Sequence, residues 1–407
     1  MSNKNLKAAV TGLLVCAATL AHAQAPVVRP AYQFPEAPPS SGPAAVQVGD
    51  SPLYFTPYLG VGVGHDDNLF FSDTNKKSSS LYVVSPGFKL DARDSNKVLQ
   101  ASYNAQIGRY GQSEDDDYVD QTARLQYDMA FDRRNFLRLG YDYIRGHDAR
   151  GSTDRPSGNN PDKYRQNTPY ITYAFGAPGA LGRVEAYYSD MTRRYLNNRS
   201  FTSASDHGTQ EFGGAFYWRA FPKTYLFAEA RETQIHYDQL NSPLSADETR
   251  YFGGITWEAT AATTGTIRVG TLKRRFVQDV PNFSGTAWEG SVNWAPRTYS
   301  RFEFYGARTT NESTGIGSFI LSDIAGVTWS HNWTSVVSTA VLLRYQKDDF
   351  QNSDRLDKTT SLGLRAGYRF RRWLTLGAEY TYTKRDSNQS VFDYDRNLYL
   401  LTATASM

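Results

Sequence analysis

Three neighbouring His and Asp pairs are the residues of this sequence with the clearest potential for acid–base chemistry. They are His65-Asp66, His147-Asp148 and Asp206-His207, and a histidine that is held by a carboxylate can act as a general base. Adjacent residues on a strand point to opposite faces, so each pair can act together only where the backbone turns. The sequence also has no Cys/His metal cluster, no phosphate-binding glycine loop and no G-x-S-x-G motif. We therefore predict that the chain is not an enzyme and needs no cofactor and no metal.

Arginine is the second chemically informative residue type, because it recurs at the polar positions of alternating segments. From Thr56 onward, short stretches alternate polar and apolar residues at period two, as in TARLQYDMAF (122–131), FLRLGYDYI (136–144) and SLGLRAGYRF (361–370). This period is typical of β-strands whose two faces meet different surroundings. The arginines therefore share a face with Asp, Glu, Thr and Gly, opposite an apolar face.

The connections between these segments alternate in length. Eight tight turns separate nine longer polar loops, which predicts about eighteen strands with both termini on the short-turn side. The tight turns are ARDSNK, FDRRN, GAPGA, AFPKT, TAATTG, APRTY, NWTS and FRRW. The longer loops are SDTNKKSSS, GQSEDDD, HDARGSTDRPSGNNPDK, LNNRSFTSASDHG, DQLNSPLSADE, QDVPNFSG, NESTGIGSF, DDFQNSDRLDK and RDSNQSVFDYD.

Tryptophan follows the same rhythm, since six of the seven lie within about five residues of a predicted tight turn. These six are Trp218, Trp257, Trp294, Trp329, Trp333 and Trp373. Indole rings favour the membrane–water interface, so this distribution indicates an aromatic girdle at one end of a barrel. A soluble β-sandwich or propeller would explain the alternation, but neither the two loop lengths nor the one-sided tryptophans.

Composition agrees with a membrane barrel. Aromatic residues make up 14% of the chain, with 28 tyrosines, and the mean hydropathy is −0.55. After the N-terminal segment, no apolar run approaches the roughly 18 residues of a transmembrane helix. The sequence thus predicts an all-β fold, a transmembrane antiparallel up-and-down β-barrel of about eighteen strands over residues 51–407, in the bacterial outer membrane.

The N-terminus predicts export. Lys4 and Lys7 precede an apolar run that ends at Ala21-His22-Ala23, which is typical of a signal peptide over residues 1–23. The only cysteine, Cys16, lies within it and follows Val15, a bulky residue that disfavours a lipoprotein cleavage site. Residues 24–50 are rich in Pro, Ala and Ser, and we predict a disordered periplasmic leader there.

A barrel of this size has a lumen too wide for side chains to fill, so it needs a water channel or a plug. The sequence shows no separate plug domain. The candidate substrate path consists of the lumen cations Arg124, Arg138, Arg183, Arg231, Arg250, Arg268, Arg344, Arg365 and Arg369. The candidate lumen anions are Asp120, Asp128, Asp142, Glu185, Glu229, Glu258, Glu289, Glu303 and Glu379. Arginine forks suit carboxylated, phosphorylated or pyruvylated solutes, whereas Arg–carboxylate pairs would reinforce the wall.

Inward aromatic side chains are a further candidate feature of the path. Tyr187, Phe227 and Tyr305 could stack on sugar rings if they face the lumen. The net charge is only +3, with 44 basic and 41 acidic residues, so nucleic acid is not a predicted partner. The acidic loop GQSEDDDYVD favours surface solvation or bridging to lipopolysaccharide over a defined Ca²⁺ site.

The stretch TPYLGVGVGHDDNLFFSDTNKKSSSLYVVSPGFKLDARDSN (56–96) carries a specific motif. Its His65-Asp66-Asp67-Asn68 run, followed by Leu69-Phe70 and later by the run 84–88 (VSPGF), resembles outer-membrane β-barrels associated with exopolysaccharide biosynthesis operons, the EpsL-type family. The resemblance is specific over about forty residues and implies a role in passing or anchoring a secreted polysaccharide. Alternation along YLGVGVGHDDN places Asp66 and Asn68 inward at the outer mouth, as a rim motif that either gates the lumen or forms a structural corner.

Three functional hypotheses follow. The first is a channel that takes part in export of an extracellular polysaccharide, the second a porin for small anionic solutes, and the third a non-conducting surface barrel that binds polysaccharide through its loops. The expected partners are outer-membrane lipid and lipopolysaccharide, an anionic or neutral polysaccharide, and periplasmic export components.

Overall fold

The computed structural model describes residues 29, 31–35, 45–154, 159–260 and 262–406. The predicted signal peptide, residues 1–23, lies outside the described residues, as do 24–28, 30 and 36–44 of the predicted leader. No described helix is long and apolar enough to cross a membrane.

Within the described residues, eighteen strands pair side by side into a closed antiparallel barrel. Closure comes from pairing of the last strand, β19, with the first barrel strand, β2. A two-residue strand, β1 (Val46–Gln47), precedes the barrel and pairs with β2. The barrel strands are β2 Leu53–Asp66, β3 Ser79–Asp94, β4 Lys97–Tyr110, β5 Tyr118–Ala130, β6 Asn135–Asp148, β7 Asp162–Phe175, β8 Gly182–Tyr195, β9 His207–Phe221, β10 Thr224–Tyr237, β11 Ala246–Thr260, β12 Thr263–Phe276, β13 Phe283–Arg297, β14 Ser300–Asn311, β15 Ile320–Asn332, β16 Val337–Phe350, β17 Leu356–Arg371, β18 Leu374–Ser387 and β19 Tyr394–Ser406.

The alternation of short and long connections is confirmed. The eight predicted tight turns join β3–β4, β5–β6, β7–β8, β9–β10, β11–β12, β13–β14, β15–β16 and β17–β18, and longer loops join the other neighbours. In the part of the loops that the structure describes, there are one short helix, α1 Arg199–Thr202, and three 3₁₀ turns, Glu114–Asp116, Ser203–Ser205 and Ser390–Phe392. The tight turns mark the periplasmic end of the barrel and the long loops its outer end.

Register fixes which face each side chain occupies, because directly opposed residues on neighbouring strands share a face. On β2, Leu59, Val61 and Val63 are exposed on the lipid side, whereas Gly62 and Gly64 face the lumen. A methyl group added at Gly64 would come within 3.0 Å of the Leu400 side chain. Leu400 therefore fills the face that the glycines leave empty.

Aromatic rings stack along the outer surface near the tight turns. Trp294 stacks on Phe302 at 5.1 Å between ring centroids, and Phe302 stacks on Trp329 at 6.1 Å. His331 lies 4.3 Å from the Trp333 ring at the next turn. This row forms part of the predicted aromatic girdle at the periplasmic interface.

Among the described residues, seven lumen glycines each lie directly opposite an aromatic residue whose ring covers them. The pairs are Gly87–Tyr58, Gly108–Tyr118, Gly140–Tyr170, Gly146–Tyr164, Gly213–Tyr187, Gly254–Phe227 and Gly326–Tyr305. Covering a strand glycine with a cross-strand ring restores the packing that the missing side chain would have made. The inward orientation predicted for Tyr187, Phe227 and Tyr305 is thus confirmed.

Gly140→Ala should destabilise the barrel by about 1–3 kcal/mol, because overpacking against a fixed ring costs about that much. A Cβ at Gly140 would lie 2.0 Å from the Tyr170 ring. Gly253 is the matched control, since a Cβ there meets nothing within 4 Å. Urea unfolding followed by tryptophan fluorescence should show a lower midpoint for Gly140→Ala and no loss for Gly253→Ala. Equal midpoints for the two variants would mean that the ring moves aside freely.

Candidate functional site

The lumen wall is the candidate site, and register places all nine predicted arginines on it. Arg124 lies opposite Asp142, Arg138 opposite Asp128, and Arg365 opposite Glu379. The other six lie opposite lumen residues of neighbouring strands. Their role as a solute path stays a prediction.

Most of these arginines are bound to carboxylates of the wall. Arg124 binds Asp142 through two nitrogens, at 2.8 and 3.1 Å. Arg138 binds Asp128 at 2.8 Å, and Arg365 lies 3.5 Å from Glu379. Pairing across strands stiffens the wall and leaves its two signs of charge nearly balanced.

The densest pairing occupies strands β10–β13. Arg231 binds Glu229 at 2.8 Å and Glu289 at 3.1 Å. Arg268, which is 1% exposed, lies between the same two carboxylates. Arg231 stands directly opposite Arg250, so two like charges share one face and the two glutamates hold them there. These arginines are therefore part of the wall and not open to a solute.

Two of the nine arginines stay accessible. The Arg124 side chain is 64% exposed despite its bond to Asp142, and Arg369 is exposed near the periplasmic end of β17. Arg344 is partly buried and donates to Gln346 at 2.6 Å. Accessible guanidinium groups are the ones that can contact a passing anion.

Residues 29 and 31–35 of the predicted leader lie inside the lumen, while its residues 46–47 form β1 beside β2. We call residues 29 and 31–35 the leader segment. The Tyr32 backbone N–H donates to Glu185 at 2.7 Å and its hydroxyl donates to Asp128 at 3.0 Å. Burial, followed by the nearby Asp128 charge, raises the pKa of the Tyr32 phenol, so the hydroxyl remains protonated and can donate. Tyr32 itself is only 5% exposed.

The leader segment also binds a second region of wall. The Arg29 guanidinium binds Glu211 at 3.2 Å and lies 3.5 Å above the Tyr187 ring. The backbone carbonyl of Arg29 accepts a hydrogen bond from Arg268 at 2.6 Å. The contacts of the leader segment reach from β5 to β12, about half the circumference, so it narrows the lumen.

The loop between β6 and β7 crosses the outer mouth. We call its residues 149–154 the outer bar. Asp154 accepts hydrogen bonds from the backbone N–H groups of Thr314 and Gly315, at 2.9 and 3.0 Å, in the β14–β15 loop. Arg355 donates to the Asp154 carbonyl at 2.8 Å. Strands β6 and β15 are nine strands apart in an eighteen-strand barrel, so the outer bar spans the full opening.

Comparison with known proteins identifies the family. The family model described as "Putative beta-barrel porin 2" matches residues 39–407. The chain belongs to this porin family. It is an outer-membrane porin of the bacterial envelope. No curated protein sequence matches it.

Several solved outer-membrane proteins resemble the porin at low sequence identity. OccAB3 of Acinetobacter baumannii is 13% identical, with 88% of this chain and 100% of that chain covered and a TM-score of 0.46. The outer membrane protein opdK of Pseudomonas aeruginosa is 10% identical, with 87% and 99% covered and a TM-score of 0.47. OccK2 (OpdF) of Pseudomonas aeruginosa, solved in complex with glucuronate, is 8% identical, with 87% and 98% covered and a TM-score of 0.47.

The rim motif of the porin lies in the seam where the barrel closes. Asp66 is fully buried and accepts a hydrogen bond from Arg396 Nε of the last strand at 2.9 Å. Asn68, also fully buried, donates to the Asp395 carbonyl at 2.7 Å. Asp67 binds the Asn397 backbone and side chain, each at 2.7 Å. This geometry favours the structural corner over the gate, because buried side chains cannot touch a solute.

In the three sequence-adjacent pairs His65-Asp66, His147-Asp148 and Asp206-His207, no hydrogen bond joins the histidine to its adjacent aspartate among the described residues. His147 binds Asp120 at 2.9 Å, while Asp148 accepts from the Tyr195 hydroxyl at 3.0 Å. His207 lies 2.9 Å from the Ser205 carbonyl. Among the described residues, no group of three His, Cys, Asp or Glu side chains could hold a metal ion.

Proposed function

We propose that this porin is a sugar-conducting channel that takes part in export of an extracellular polysaccharide. The observation that carries the proposal is the set of aromatic rings that cover cross-strand glycines on the lumen face, of which Tyr58, Tyr170 and Tyr305 are partly exposed. These three rings have one face against the wall and can offer the other to the lumen, whereas Tyr118, Tyr187 and Phe227 are buried. Sugars have apolar CH faces that pack on aromatic rings, and hydroxyl groups that exchange hydrogen bonds with Arg and carboxylates.

Balanced charge supports the same proposal. Because most wall arginines are paired with carboxylates, the lumen offers both donors and acceptors without a strong field of one sign. This lining suits a neutral or weakly charged polymer. The resemblance of the Asp66-Asp67-Asn68 region to EpsL-type barrels adds the connection to a secreted polysaccharide.

The proposal is tested by deleting the gene in its own bacterium and measuring surface and periplasmic polysaccharide. We expect polymer to be trapped in the periplasm, and the wild-type gene to restore secretion. Tyr305→Ala, which removes a lumen ring, should restore it several-fold less well than Tyr345→Ala, the same change on the lipid face of β16. Unchanged surface polysaccharide in the deletion strain would contradict the proposal.

A porin for small anionic solutes is the second candidate, and the exposed guanidinium groups of Arg124 and Arg369 favour it. In that case the deletion would slow uptake of small organic acids while surface polysaccharide stayed normal. Arg369→Gln would then lower anion selectivity in planar bilayers, because one accessible positive charge is lost from the path.

A further inference from the structure

Three arginines stand in one row on the outside of the barrel. Arg145 on β6 lies directly opposite Arg165 on β7, and Arg165 lies directly opposite Arg194 on β8. Register places them on the face opposite the lumen residues Asp142 and Tyr195. We call these three residues the arginine row. Like charges directly opposite each other on a sheet repel, so the row calls for a compensating anion.

The wall itself supplies little compensation. Among the described residues, neither Arg145 nor Arg165 has a carboxylate partner, and both side chains are exposed. Arg194 binds Asp238 at 2.7 Å. Lys163, two residues beyond Arg165 on the same face, is exposed as well and adds positive charge. The site is therefore open, outward and cationic.

The height of the row along the barrel indicates the source of the anion. From the tight turn outward, the lipid face of β6 carries Leu137, Leu139, Tyr141 and Tyr143, and then Arg145. Leu137 and Arg145 are eight positions apart, or about 27 Å along a strand, which is somewhat less across the membrane because the strands tilt. The apolar band of such barrels is about 25 Å tall, with aromatic residues at its edges. Tyr141 and Tyr143 mark the outer aromatic edge on β6, and the row occupies the next outward position, at the level of the outer-leaflet headgroups.

The far side of the barrel shows a different pattern at the corresponding height. There Asp323 lies opposite Lys347, Lys347 opposite Lys358, and Lys358 opposite Asp386. Each lysine in that row has an acidic residue directly across from it, so charges of both signs alternate there, and these acidic residues also bind Arg308 and Lys384. The arginine row lies at the same height, but there like charges stand directly opposite each other at both steps.

We propose that Arg145, Arg165 and Arg194 form a binding site for the phosphate groups of an anionic outer-leaflet glycolipid. Guanidinium groups bind phosphate through two parallel hydrogen bonds, and a row of three can span two phosphates of one headgroup. The apolar and tyrosine face below the row packs the acyl chains. This site depends on the outer-membrane location of the porin and not on the export proposal.

The test titrates the full chain in detergent with diphosphoryl lipid A and compares it with Arg145→Gln/Arg165→Gln. Loss of the two surface guanidinium groups should raise the apparent Kd for the lipid by about 30-fold. Lys347→Gln/Lys358→Gln, the matched control, should leave the Kd unchanged. Lipid A without phosphates but with the same acyl chains should bind all three proteins weakly, and inorganic phosphate alone should not occupy the row.

Heat-modifiable mobility on gels shows whether each variant keeps its barrel, and Arg165→Gln alone serves if the double variant does not fold. Equal binding of the dephosphorylated lipid, or equal losses in the arginine and lysine variants, would overturn the proposal. Binding of inorganic phosphate as tight as that of the lipid would overturn the lipid assignment.

Discussion

Removal of residues 29–35 should raise the single-channel conductance of the porin several-fold. The described residues of this segment contact the wall from β5 to β12 and occupy lumen volume that ions would otherwise cross. In a barrel of eighteen strands the interior is wide enough to conduct when it is empty. Planar-bilayer recordings of the purified full chain and of the deletion variant give the comparison.

The deletion should also shift ion selectivity toward cations. Arg29 leaves with the segment, and Glu211, Glu185 and Asp128 lose groups that now bind them. The lumen therefore gains exposed negative charge and loses one positive charge, which favours cation entry. The reversal potential in a salt gradient measures this shift independently of pore width.

A length-matched variant separates contacts from chain length. Replacement of residues 29–35 by a Gly/Ser run of equal length keeps the leader but removes Arg29, Tyr32 and the ring contact between Phe34 and Phe136. We expect it to behave like the deletion. Unchanged conductance and selectivity in both variants would mean that the segment does not restrict the path, and Asp154→Ala in the same background would then reveal how far the outer bar limits it.

The barrel itself could be predicted from the sequence because its signals are local. Period-two alternation depends on neighbouring residues, and tight turns such as FDRRN and NWTS are recognisable without knowledge of the partner strand. The same alternation placed Arg268 and Arg365 on the lumen face. Inward and outward positions therefore followed from the chain alone.

Pairing across the lumen could not be predicted in the same way. The predicted leader, residues 24–50, is rich in Pro and Ala, and this composition alone indicates a flexible chain. The bonds of its Tyr32 to Glu185 and Asp128 depend on wall residues more than 90 positions away. Asp154 likewise meets Thr314 only because β6 and β15 stand on opposite sides of the barrel. Such contacts depend on register and closure, which a single sequence does not specify.

The arginine row shows an intermediate case. Each of Arg145, Arg165 and Arg194 occupies an outward position of an alternating segment, which the sequence alone indicates. Their alignment in one row follows from the β6–β7 and β7–β8 registers, which depend on loop lengths and local irregularities. The sequence signal for this site is the presence of an outward-facing arginine near the long loop on each of three consecutive predicted strands.

Asp66→Ala should lower the free energy of unfolding by about 3–5 kcal/mol, the usual result of leaving one member of a buried ion pair without its partner. The Asp66 side chain is fully buried and that of Arg396 is 8% exposed, and the two join the first and last barrel strands. Loss of the carboxylate leaves the guanidinium buried at the seam, next to the apolar cluster of Leu81, Leu398 and Leu400. Urea unfolding in lipid vesicles, followed by tryptophan fluorescence, measures the change.

Two comparisons identify the cause as the buried charge. Asp66→Ala/Arg396→Met should recover much of the loss, because a buried ion pair replaced by apolar groups is often neutral. Asp142→Ala, which breaks the exposed Arg124 pair, should cost only about 0–1 kcal/mol. If Asp66 gated the lumen instead, the single substitution would change conductance with little effect on unfolding. If Asp66 instead holds the closing strands together, the substitution should cause a large loss of stability and leave conductance unchanged, because the buried Asp66 side chain has no surface in the path.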